Sequence, residues 1–208
     1  MTAIRLRVLT LCGLIITLTA VSAPAQDVSQ DPDWPCAQAL VPQVAAAVIW
    51  SGAPVEGLAW REVPSVVDLV GRITPPTTTE PAAAAAIAGF AAGLRPPDQE
   101  RMLTLVFAGV LDVLNLDRRQ LIDGIKRYSR DQSRRAAALG QELDQLVRLE
   151  QDPDPSAAPR RDELKQRLVL EERVFDEREK SLPFLCTRPV AVEQRLGFLA
   201  RTIAELIE

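Results

Sequence analysis

The chain reads as all-α: about six helices, with a long antiparallel helical hairpin packed on a smaller helical core. Three observations carry that reading. No stretch shows sustained strand-like alternation bounded by turn signals. Aromatic residues are scarce while alanine, leucine and valine abound. From Asp117 to Leu182 apolar residues recur at helical spacing on both sides of one break, Asp152-Pro153-Asp154-Pro155.

The hairpin rests on period. At 100° per residue, Leu121, Ile125, Tyr128, Leu139, Leu143 and Leu146 fall within an arc of about 60°, an amphipathic stripe that something must cover. Leu164, Leu168, Phe175 and Leu182 after the break repeat at coiled-coil spacing with charged residues between them, which supplies the cover. Asn115 precedes the first arm as a candidate N-cap, and Ser156 stands ahead of the second. Two prolines in the break stop either arm from continuing through it. A first arm of roughly 35 residues would be about 52 Å long, so part of the hairpin is expected to project.

Residues 1–25 read as a signal peptide: Arg5 and Arg7, an apolar run from Val8 to Ala20, then Ala23-Pro24-Ala25 before a cleavage expected ahead of Gln26. The apolar run falls short of the roughly 20 residues a membrane span needs. Residues 26–208 read as a single helical domain in a periplasmic compartment. Removing residues 1–25 takes away two arginines and no acid, so 22 basic and 28 acidic residues remain and the net charge is −6. That balance gives no support for nucleic-acid binding.

Residues 26–79 are the least regular part. They carry Trp34, Trp50 and Trp60 among Pro35, Pro42, Gly52, Pro54 and Pro64, with short helices expected around Pro35 to Trp50 and from Pro64 to Ile73. The tryptophans could line a ligand pocket, but buried aromatic anchors beside a disulfide are the commoner use of such residues. Thr79-Glu80-Pro81 has the form of a helix start. It opens a buried helix pair over 80–115: an alanine-rich helix from Ala82 to Leu94, then one from Asp98 to Asn115 that is apolar nearly all round. A last helix is expected over 188–207, opened by Pro189, with Val192, Leu196, Leu199, Ile203 and Leu206 on one edge.

Two cysteines lie beyond the signal segment, Cys36 and Cys186, and an oxidising compartment leaves them one intramolecular pairing. A structural disulfide is expected, in preference to free thiols or a redox pair, which would favour a close Cys-x-x-Cys spacing.

Three stretches are similar to a set of uncharacterised exported all-helical proteins of proteobacteria. They are Asp33-Trp34-Pro35-Cys36, Val174-Phe175-Asp176-Glu177-Arg178 and Glu193-Gln194-Arg195-Leu196. The resemblance implies a periplasmic location and carries no activity to transfer.

The chain has no histidine, which removes the commonest general base and metal ligand together. Ser-His-Asp and Cys-His arrangements are excluded, no glycine-rich phosphate loop is present, and no cofactor is implied. Lys180-Ser181 has nothing of a catalytic turn around it. Glu171, Glu172, Asp176, Glu177 and Glu179 could form an oxygen-ligand metal site through Glu172 and Asp176 at i, i+4. The hairpin register, residue i beside 312 − i, instead sets Arg134 and Arg135 near Glu177, and pairing between the arms is the reading adopted.

Arg119, Lys126, Arg127, Arg130 and Arg134 gather within about 100° opposite the apolar stripe. From Arg118 to Arg135 there are seven basic residues and two acidic ones. A solvated helix face is the commoner use of such a cluster, but like charges at this spacing repel by a few tenths of a kcal/mol per pair, which leaves an anionic surface or acidic partner as a source of the counter-charge. The sequence therefore points to a non-enzymatic interaction protein using the hairpin and its basic face, partnered by a protein or an anionic membrane surface. A small-ligand-binding protein with a tryptophan-lined pocket is the alternative.

Overall fold

The computed structural model describes residues 31–207. Among them the elements in order are α1 (Ala46–Ile49), a 3-10 turn (Trp60–Glu62), α2 (Pro64–Ile73), α3 (Glu80–Ala92), α4 (Pro96–Gln151) and α5 (Ala157–Ala204). There is no strand among the described residues. The signal-peptide reading of residues 1–25 lies outside the described residues.

Local chemistry sets the short helices as expected. Proline occupies the first position of α2, where its missing N–H loses nothing, and Val66, Leu69, Val70 and Ile73 form its buried face. Thr79 caps α3 by accepting the Ala82 N–H at 3.4 Å. The buried positions of α3 are Ala83, Ile87 and Ala91, and such small side chains let α2 and α5 pack closely on it. The helix expected between Pro35 and Trp50 is reduced to the single turn of α1, and the rest of that segment is an extended strap.

Two joints differ from the sequence reading. The helices expected over Asp98 to Asn115 and from Asp117 onward are one continuous α4, because Asn115 is not a cap: its side chain is turned to the strap, where its carboxamide accepts the Val44 N–H at 2.9 Å and donates to the Val44 carbonyl at 3.0 Å. The second arm and the last helix are likewise one α5, running through Pro183 and Pro189. Each proline removes one helical N–H, at about 3 kcal/mol or more in an isolated helix. Tertiary bonds hold this stretch instead. Cys186 is disulfide-bonded to Cys36, the Gln38 side chain donates to the Cys186 carbonyl at 2.6 Å, and Arg118 donates to the Pro189 carbonyl at 2.9 Å.

The core lies at the base of the hairpin. Met102 to Val110 of α4 is buried without interruption, as its all-round apolar character requires, and Leu196, Leu199, Ala200 and Ile203 of α5 meet it. Trp50 stacks on Phe107 with ring centroids 4.1 Å apart. The core draws on α4 no further than Leu114 and on α5 no earlier than Val192. Beyond that the helices depend on each other and on the strap.

At 56 residues α4 spans about 84 Å, against a radius of gyration of about 16 Å for a compact chain of this size. The distal hairpin is therefore a projecting arm. Leu164 and Leu168 are buried along its seam and Phe175 is half-buried. Ion pairs Glu142–Arg167 (3.3 Å) and Glu150–Lys165 (2.7 Å) cross it close to the expected register. Leu143, placed on the stripe by period, is 53% exposed: it lies at the stripe's edge, and one partner helix does not reach that far. The turn is held by Asp152 and Asp154, which accept the N–H groups of Asp154 and Ser156. Ser156 stands at the cap position of α5, but its hydroxyl caps nothing.

Candidate functional site

The basic face of α4 sits against the strap. Lys126 pairs with Asp31 at 2.8 Å and Arg130 with Asp33 at 2.7 Å. Lys126, together with the Asp33 N–H, holds the Asp31 carboxyl below its ordinary range. Arg134 is paired with Asp131 in its own helix. Part of the counter-charge expected from outside is thus supplied by the chain itself, from a segment too far away in sequence for helical spacing to reveal. Arg127 is exposed and makes no ion pair among the described residues. Arg119 lines a cavity of about 380 Å³ beside Trp60, Asp112 and Asn115.

Arg118 anchors the strap. It is 4% exposed, donates through Nε to the Val41 carbonyl (2.8 Å) and through Nη1 to Pro189, and pairs through Nη2 with Glu193 (2.5 Å). One guanidinium fork therefore ties strap, α4 and α5 together.

The tryptophans do not converge on one pocket. Trp34 donates to the Gln38 carbonyl, Trp50 to the Ala53 carbonyl and Trp60 to Asp112, so each indole N–H is satisfied locally. Arg61 lies 4.3 Å over the Trp60 ring and pairs with Asp112 at 2.8 Å. The Trp60 N–H and then Arg61 hold the Asp112 carboxyl below its usual range.

Of the acidic cluster, Glu171, Glu172 and Asp176 are exposed, and Glu177 pairs with Lys180 at 3.0 Å. No group of three or more metal-ligating side chains is gathered among the described residues. Contacts between the arms at this level run through Gln132 rather than Arg134 and Arg135. Gln132 is buried, donates to Glu179 at 2.8 Å and accepts from Arg178 at 2.6 Å, while Arg178 covers the Tyr128 ring at 4.3 Å. Gln132 is four residues from Tyr128 and seven from Leu139, a seam position, and that spacing was its signal.

The larger cavity, about 580 Å³, opens where the α2–α3 connection, α4 and the base of α5 meet. Leu114, Leu121 and Val192 form its apolar wall, with Glu80, Asp117, Arg188 and Arg195 around it. Arg195 donates through Nη2 to the Ile73 carbonyl at 2.5 Å, while its Nε is buried with no acceptor. Burial pulls this guanidinium below the usual arginine range, and Glu80 opposes the shift. No helix among the described residues is long and apolar enough to cross a membrane. No family model, curated protein or solved structure matches the chain.

Proposed function

We propose that this chain is a non-enzymatic interaction protein of the periplasm, an adaptor, scaffold or chaperone-like module that meets its partner through the distal hairpin, with the basic face of α4 alongside. The projecting arm carries the reading. Past Gln132 the two helices have only each other, and Leu143, Val147, Val169, Leu170 and Val174 are roughly half exposed or more. So narrow a pair buries little apolar surface per residue, so the stability of the base does not account for it. The Cys36–Cys186 bond fits an oxidising compartment, and Arg127 offers charge toward a protein partner or an anionic membrane surface.

The test is site-specific photo-crosslinking in an exporting host, with the photoreactive residue at Leu143, at Leu170 or, as a control on the base, at Val67. The arm positions should give an adduct of one discrete mass, and Val67 none. No adduct from the arm, or the same adduct from Val67, rules the reading out.

A further inference from the structure

We propose that the 580 Å³ cavity between the α2–α3 connection, α4 and the base of α5 is a binding site for a small amphoteric molecule, an apolar amino acid or short peptide. The cavity's volume lies within the range of small-molecule sites, about 300–1,000 Å³. Its lining has an apolar wall and a few convergent polar groups, the composition such sites share.

The polar groups select the ligand. Arg195 lines the cavity, its guanidinium held at the wall by the Ile73 carbonyl. A carboxylate is the natural complement, because a guanidinium presents donors in a fork that matches two carboxylate oxygens. Arg188 lines the same cavity, is exposed, and makes no ion pair among the described residues, so it adds a second cation free to engage that group. Two arginines alone would favour any anion. Glu80 and Asp117 on the same lining return the site to neutrality and penalise a multiply charged anion such as phosphate. They complement the ammonium of an amphoteric ligand, and Leu114, Leu121 and Val192 take its apolar side chain.

The site is built at a place the fold fixes firmly. Leu196, next to Arg195, and Leu114 are core residues, and Ile73 holds the Arg195 guanidinium by its carbonyl. Nothing on α4 beyond Leu121 contributes, so this binding is separate from the proposed partner contact of the distal hairpin.

Isothermal calorimetry on the oxidised protein tests it, with leucine and leucyl-leucine as probes. Controls are 4-methylpentanoate, which lacks the ammonium, 3-methylbutylamine, which lacks the carboxylate, and inorganic phosphate. Leucine or its dipeptide should bind, the acid at least tenfold more weakly, and the amine and phosphate not measurably. Arg188→Gln should weaken binding at least tenfold with the melting temperature unchanged, and Arg195→Gln should abolish it. Because Arg195 also bonds Ile73, the Arg188 variant decides the matter if the Arg195 variant loses stability. Absence of heat with both amphoteric probes, tighter binding of phosphate, or undiminished binding by Arg188→Gln overturns the proposal.

Discussion

Arg118 is a charged residue in an apolar phase: it follows Leu114 and precedes Ile122 by four residues each, both buried. That spacing turns it inward, and the three acceptors it meets come from Val41, Pro189 and Glu193, which no local pattern connects. Arg118→Ala leaves two carbonyls and a carboxylate without their donor, so chemical denaturation should show a loss of about 3 kcal/mol. Arg118→Lys should recover little, since an ammonium cannot fork to three acceptors. Asp112 gives a pH signature. Its carboxyl is depressed in the folded chain by Trp60 and Arg61, so its contribution is present above the unfolded aspartate value of about 3.9 and is lost as pH falls through the lower folded value. Melting curves in acid should therefore decline less steeply for Asp112→Asn than for the parent chain.

At the scale of the element, the hairpin, the α2 boundaries and the α3 start were legible because each has a local cause: a period, a proline at the first turn, a threonine cap. The continuity of α4 and α5 was not. Asn115, Pro183 and Pro189 carry real boundary signals, and tertiary bonds from the strap and from Arg118 override them. The seam was read correctly at Leu164 and Leu168 and too broadly at Leu143. The candidate cavity left no trace in the sequence, since its lining comes from three separated segments. Two glycines of α4 separate base from arm. A Cβ on Gly109 would lie 2.8 Å from Val70 and 2.9 Å from the Trp60 ring, whereas one on Gly140 meets nothing within 4 Å. Gly109→Ala should destabilise by up to about 2 kcal/mol, overpacking of about 1–3 kcal/mol being set against a helix gain of about 1. Gly140→Ala should keep that gain, and thermal melts of the two variants should move in opposite directions.

For the molecule as a whole, the disulfide spans 150 residues of sequence, and the chain-entropy estimate for such a loop is near 5 kcal/mol as an upper figure. Replacing both cysteines by alanine should lower stability by about 2–5 kcal/mol. The strap should loosen first, read as faster amide exchange at Trp34 and Val44. The arm has a further consequence, one of timing. The core residues of α4 and α5 are separated by the entire hairpin, so direct encounter between them is slow. Zipping from the Asp152–Ser156 turn brings them together one helical turn after another, through contacts that are each local. The strap, joined to α4 no further out than Arg130 and to α5 at Cys186, docks after they have met. Weakening the turn with Asp154→Gly should slow refolding. Weakening the strap with Gln38→Ala should leave the refolding rate in place and hasten unfolding, a division that stopped-flow tryptophan fluorescence can resolve.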